Sequence, residues 1–332
     1  MGGKSWCAGD GEGKPGMETK ENYFDLQVNG YAGVDFNHDD LNAEELHRAC
    51  RQIRADGVGG ILATIVTETA DRMAGRLARL VELRQHDPLV AQTIAGFHIE
   101  GPFISDKPIF RGAYPLEAIG PANRDVMMQL LDAADGLTRV VTLAPEQDRN
   151  FAIIRGLADR GITVAAGHTD ASLDELRGAI DAGLTMFTHL GNGTPPQLSR
   201  HNNIIQRALS CADHLWCCFI GDGVHIPFFA LRNYLQVAGN RAVMVTDAIA
   251  PAGLGAGRFT IGRTVVKVGA DLVAWAPGRA HLLGAVVTMR KIAENLQEHL
   301  ALSTEAIHRL TVLNPRCAIG EEVDAANQRR LQ

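Results

Sequence analysis

The chain has 332 residues, of which 46% are hydrophobic and 21% charged, with a net charge of −6. That balance belongs to a globular protein with a large core, and an α/β barrel of about 250 residues would fit it as one unit. No lysine- and arginine-rich run points to nucleic acid or an anionic membrane, and no apolar run is long enough to span a bilayer.

Residues 1–20 are rich in Gly, Lys and Glu and lack the apolar core of a signal peptide, so they read as a mobile tail. Short apolar runs then alternate with amphipathic stretches. The runs are Phe24–Gly30, Gly60–Val66, Ile94–Gly101, Val140–Glu146, Thr163–Thr169, Met186–Asn192, Trp216–Gly223 and Val243–Ala248. Each is nearly continuous, as strands buried on both faces of a parallel sheet are. Between them, Ala43–Asp56, Asp71–Gln85, Asn150–Arg160, Ser172–Ala182 and Pro227–Ala238 carry a helical pattern. Gly57, Gly161 and Gly183 follow helical runs and read as stops. Arg258–Trp275 breaks the rhythm as a β-hairpin-like insertion with turns near Gly262 and Gly269. Helices at Val287–His299 and Thr304–Leu313 follow, then a polar tail over 321–332. Eight such units predict an α/β fold, a (β/α)8 TIM-type barrel over residues 21–320, in preference to an open doubly wound sheet. The six cysteines (Cys7, Cys50, Cys211, Cys217, Cys218 and Cys317) form no C-x-x-C pair and read as reduced thiols of a cytoplasmic protein.

The polar residues are placed unevenly. Gln27, Asn29, Glu100, His168, His189 and Asp247 all fall at or near the C-terminal ends of predicted strands. In a barrel those ends converge on one mouth, where active sites lie. Taken singly, Glu100 could be a salt-bridged acid and each histidine a hydrogen-bonded core residue. Together, one Glu and two His make a ligand set for a divalent ion, and three protein ligands leave an open position for water. A metal lowers the pKa of that water, and a nearby carboxylate, Asp247, can carry its proton to a leaving nitrogen.

The segments DLQVNGYAGVDFN, FHIEGPF, AGHTDAS, THLGNG, DGVHI, VTDA and TVLNP, in this order from Asp25 to Gly320, resemble the N-acetylglucosamine-6-phosphate deacetylases of the amidohydrolase superfamily. The resemblance implies Glu100, His168 and His189 as metal ligands and Asp247 as the acid/base. It implies His225 as a substrate-binding residue, with Asn192 and Gly193 against the sugar. Many amidohydrolases carry H-x-H on the first strand. Gln27-Val28-Asn29 stands there instead, which points to one divalent ion, zinc first, with iron, cobalt and manganese compatible. Gln27 and Asn29 then join the substrate-binding groups or the hydrogen bonds of the mouth.

Three departures from the family pattern stand out. Tyr114 replaces a common histidine; its hydroxyl, or His225, is expected to donate to the developing oxyanion. Arg200 lies where the family has a phosphate-binding arginine supplied across a dimer interface, which implies a homodimer, but its loop diverges and a solvated charge is the other reading. The accessory β-sandwich of the family is expected to be largely missing. The expected reaction is hydrolysis of the acetamide of an N-acetylhexosamine 6-phosphate. Two alternatives are an amidohydrolase for a different, non-phosphorylated N-acyl substrate and an inactive sugar-binding barrel.

Overall fold

The computed structural model of the protein describes residues 22–261, 264–269, 273–275 and 284–322. The expected tail at 1–20, the Gly262 turn and most of the expected polar tail at 321–332 lie outside these. Eight strands form one sheet in sequence order: β1 (Tyr23–Val28), β2 (Val58–Val66), β3 (Ile94–Glu100), β4 (Thr138–Leu143), β5 (Thr163–Ala166), β6 (Leu184–Phe187), β7 (Trp216–Ile220) and β8 (Ala242–Val245). Every neighbouring pair is parallel. A helix follows each strand: α1 (Ala43–Ala55), α2 (Ala70–His86), α3 (Arg124–Ala133), α4 (Ala152–Ala158), α5 (Leu173–Asp181), α6 (Ile204–Leu209), α7 (Phe228–Ala238) and α8 (Met289–Leu300). This is the expected (β/α)8 barrel.

Local sequence accounts for these elements. All six side chains of β1 are buried, because the barrel interior covers one face and the helices the other. In α1, the buried Leu46, Ala49, Cys50 and Ile53 share one face at helical spacing. Asn42 and Glu45 form a reciprocal capping box at its start, and Gly57, at φ +84°, turns the chain after it. Gly161 and Gly183 do the same at φ +72° and +110°.

The seam between β1 and β8 closes beyond the strand ends. The Asn29 and Gly30 amides donate to the Ala248 carbonyl at 2.7 and 3.2 Å. Below them the buried Asp25 accepts from the Thr246 hydroxyl at 2.6 Å and from the Thr246 and Gln27 amides at 3.2 Å. Burial pushes the Asp25 carboxyl up to about 7, against these hydrogen bonds, which pull it down. A second polar chain crosses the barrel interior. His98 donates from Nδ1 to the Leu26 carbonyl at 3.1 Å, leaving Nε2 to accept from Thr142 at 2.7 Å, and Thr142 meets Thr188 at 2.6 Å. Burial drops the His98 pKa to about 4, so the ring is neutral there.

Several boundaries differ from expectation. Strands β4 to β8 stop earlier than the apolar runs do, because the chain turns before the polar residues at their ends. Helix α4 starts after Asn150 and Phe151, which take left-handed φ of 58° and 54°. Helices α3 and α6 fall in stretches with no expected element. The predicted helix Thr304–Leu313 is regular only to His308 and widens into a π turn over Arg309–Leu313. The insertion is a three-stranded antiparallel sheet: β9 (Gly257–Ile261), β10 (Thr264–Val268) and β11 (Ala274–Trp275). Val266, Val268 and Ala274 pack there against Ile249 and Val286. Among the described residues no two-layer sandwich is present.

The seam can be tested by Thr246→Val, which removes the hydroxyl without changing size and leaves the Asp25 oxygen unpaired. It is expected to cost about 1–3 kcal/mol of stability in denaturant titration. A loss below about 0.5 kcal/mol, the range of an ordinary surface change, would contradict the role given to this contact.

Candidate active site

Four barrel strands deliver the central groups. Glu100 is the last residue of β3. His168, His189 and Asp247 each follow by two residues the ends of β5, β6 and β8. All three take left-handed φ, of 48°, 30° and 51°. Such backbone costs about 1–3 kcal/mol per residue and persists where the surroundings enforce it, which happens most often at functional sites.

The Glu100 carboxylate is 1% exposed and fully partnered. Its Oε1 lies 3.0 Å from His189 Nε2, 3.5 Å from His168 Nε2 and 3.1 Å from the Gln27 amide nitrogen, while Oε2 accepts from the Tyr114 hydroxyl at 2.9 Å. Burial alone would raise the Glu100 pKa; the hydrogen bonds and charge of the two histidines hold it well below the usual range. The ring of His168 is fixed from behind, because Nδ1 donates to the Phe110 carbonyl at 2.7 Å, so Nε2 is the nitrogen turned to Glu100. His189 Nδ1 is buried without a partner. The ligand atoms of Glu100, His168 and His189 lie within 4.8 Å of one another. One buried carboxylate oxygen approached by two imidazole nitrogens is a donor set that fits a divalent ion with tetrahedral preference.

Asp247 stands beside this cluster. Its Oδ1 accepts from the Asn29 amide at 2.8 Å. Burial raises its pKa, opposed by the charge of His189 and supported by that of Glu100. Across the mouth, Asp222 accepts from the amides of Val224 and His225 and from His225 Nδ1, at 2.8, 2.9 and 2.6 Å. This clamp leaves His225 Nε2 buried and without a partner.

The site opens onto a cavity of about 720 Å³, the size of a small-molecule site. Asn29, Tyr114, His168, His189, Asn192, Gly193, His225 and Asp247 line it. Gly193, at φ +62°, leaves room for His168, since a Cβ there would stand 3.3 Å from Nδ1. Two expected site residues are elsewhere. Gln27 is 1% exposed and supports Glu100 from below without lining the cavity. Arg200 is exposed on its loop and does not line the cavity of its own chain. The tyrosine hydroxyl offered to an oxyanion is committed here to Glu100, and burial, then the Glu100 charge, keeps it protonated.

Sequence reading missed the Phe110 carbonyl, because a backbone acceptor in a loop leaves no residue signal. It also missed Trp275, which the insertion brings to the cavity wall, and Arg76 of α2. Asp222 was findable: an acid three residues before His225, with both amides between them, marks a turn that fixes the ring.

No family model matches the chain. N-acetylglucosamine-6-phosphate deacetylase of Homo sapiens is 33% identical over 310 residues, 90% of this chain and 74% of that protein. The enzyme of the same name from Bacillus subtilis (strain 168) is 30% identical over 309 residues, 92% of this chain and 75% of that one. Among solved structures, a mutant N-acetyl-D-glucosamine-6-phosphate deacetylase from Mycobacterium smegmatis in complex with N-acetyl-D-glucosamine-6-phosphate superposes with a TM-score of 0.81 at 29% identity, covering 91% of this chain and 77% of that one.

Tyr114→Phe separates two uses of the hydroxyl. If it braces Glu100, metal affinity falls about 10- to 100-fold in a chelator competition titration. Unchanged affinity with a reduced kcat at saturating metal would contradict the bracing role and return the hydroxyl to the oxyanion.

Proposed function

The chain belongs to the N-acetylglucosamine-6-phosphate deacetylase family of amidohydrolases, and from that membership we propose that it hydrolyses the acetamide of N-acetylglucosamine 6-phosphate to acetate and the amino-sugar phosphate. The observation that carries the reading is the buried Glu100–His168–His189 triad with Asp247 beside it on the floor of a substrate-sized cavity.

Glu100, His168 and His189 would hold one divalent ion, zinc first by donor chemistry, with iron, cobalt and manganese also accepted. When bound, such an ion supplies Lewis acidity toward the acetamide carbonyl and makes water nucleophilic near neutral pH. The remaining work falls to the chain. Gln27 and Tyr114 fix the carboxylate of Glu100, and the Phe110 carbonyl fixes the ring of His168. Asn29 holds one oxygen of Asp247, leaving the other to take a proton from the attacking water. As the carbon–nitrogen bond breaks, Asp247 gives that proton to the leaving nitrogen. His225 offers Nε2 to a polar group of the sugar, with its ring set by Asp222, and Asn192 and Gly193 form the adjacent wall.

The exposed position of Arg200 suits a residue that serves a neighbouring copy, so the reading extends to a homodimer. A cytoplasmic setting belongs to the same reading, supported by Cys50, Cys211, Cys217, Cys218 and Cys317 being free thiols. No helix among the described residues is long and apolar enough to cross a membrane.

Asp247→Asn tests the proton role. Acetate release is expected to fall about 10²- to 10⁴-fold with metal content unchanged. Activity retained with metal bound would remove Asp247 from the mechanism. The substrate class is tested alongside, by comparing kcat/KM for the sugar with and without its phosphate; equal values would end the sugar-phosphate assignment.

A further inference from the structure

His168, His189 and Asp247 hold left-handed backbone, and each has a buried threonine as a chain neighbour: Thr169 after His168, Thr188 before His189 and Thr246 before Asp247. These threonines are 2%, 2% and 1% exposed. All three hydroxyls are held. Thr188 meets Thr142, which also bonds His98, and Thr246 donates to Asp25. Thr169 donates to Oε2 of Glu146, a residue that the proposed chemistry does not use.

The contacts of Thr246 and Thr169 share a plan. Asp25 takes the Thr246 hydroxyl on one oxygen and the Thr246 amide on the other, and the Ala248 amide donates to that hydroxyl oxygen at 3.1 Å. Glu146 takes the Thr169 hydroxyl on Oε2 and the Asp170 amide on Oε1, the latter at 2.9 Å. The Ala171 amide donates to Thr169 Oγ1 at 2.9 Å. In both places one acid and one hydroxyl fix backbone amides beside a left-handed residue.

Glu146 stands in the short helical turn Pro145–Gln147 after β4, the strand beside β5. Burial pushes its carboxyl up, and the hydrogen bonds from Thr169 and Asp170 pull it down. Its grip is separate from that of the loop after β3, which reaches His168 by other atoms. There Phe110 accepts from the ring Nδ1, and the Ser105 amide donates to the His168 carbonyl at 2.9 Å. The loop sets the ring, and Glu146 sets the backbone that carries it. A left-handed residue released from such contacts relaxes toward ordinary backbone, and its side chain moves with it.

We propose that Glu146, acting through Thr169, is a positioning residue that keeps His168 Nε2 turned toward Glu100 and the proposed ion. This rests on the single-ion reading above and deepens it. Glu146 touches neither metal nor substrate in this role; it acts only on the turn that presents His168.

The test titrates metal-free protein with zinc and with cobalt against a chelator, and records the visible absorption of bound cobalt, which reports ligand geometry. It compares wild type, Thr169→Val, Thr169→Ser, Glu146→Gln and Lys107→Met. Thr169→Val keeps the size and removes the hydroxyl; affinity is expected to fall about 10- to 100-fold, with altered cobalt bands. Thr169→Ser keeps the hydroxyl and should restore most of the affinity and the wild-type bands. Glu146→Gln keeps the size and one acceptor, and should weaken binding by about 10-fold. Lys107→Met removes an exposed ion pair to Asp170 in the same turn and should leave affinity within about two-fold. Wild-type affinity and cobalt bands in Thr169→Val and Glu146→Gln, with only the melting temperature lowered, would mark the contact as merely structural and overturn the proposal. So would a loss in Thr169→Ser or Lys107→Met as large as in Thr169→Val. If Thr169→Val does not fold, Glu146→Gln decides alone. Wild type that binds neither ion refutes the single-ion reading itself, a failure seen before any variant is compared.

Discussion

A carboxylate that is 1% exposed lies at the end of β3, and the upper half of the barrel is arranged around its charge. Moving an ion of that kind out of water costs several kcal/mol unless other groups replace the hydration. Glu100 has four such groups, from β1, from the loop after β3, and from the turns after β5 and β6. His168 is itself braced by the Phe110 carbonyl. The loop holding Phe110 and Tyr114 is thereby tied to the triad at two points, so its conformation and the metal affinity are coupled. Removing a partner therefore costs more than one hydrogen bond, because it leaves a buried charge partly unmatched.

The scaffold below provides the rigidity this requires. Asp25 stitches Thr246 to β1, and one residue further on Asn29 holds Asp247 across the same seam. The joint that closes the barrel is also the joint that sets Asp247, the proposed proton carrier. His168, His189 and Asp247 adopt left-handed backbone two residues beyond the strands of this parallel ladder. A flexible loop would relax out of such a conformation; strands buried on both faces do not allow it. Fold stability and catalytic geometry here draw on the same contacts, so a change such as Thr246→Val bears on both.

The eight strands were legible because double burial makes them continuous apolar runs, and the central residues because strand ends in a barrel share one mouth. Glu100, His168, His189 and Asp247 converge as their order along the chain implied. Strand ends were less legible: His168 and His189 continue the apolar pattern on paper, while the left-handed turn that precedes each mouth has no residue signature. Helices α3 and α6 lie in stretches whose pattern is interrupted by polar caps, at Asn123 and Asn203. Tyr114 was read as facing substrate and Gln27 as either that or part of the hydrogen bonding of the mouth; both donate to Glu100, and only distances distinguish those uses. What three-dimensional geometry adds is the direction in which each polar atom is already committed.

The central claim is that three side chains hold one ion and that hydrolysis depends on it. The most direct measurement is to strip the protein with a chelator, add zinc back in steps, and follow acetate release from N-acetylglucosamine 6-phosphate. Release should be absent at the start, rise in proportion to added zinc, and level off at about one equivalent per chain. Full activity in the stripped protein, or a rise that continues to about two equivalents, would contradict the account.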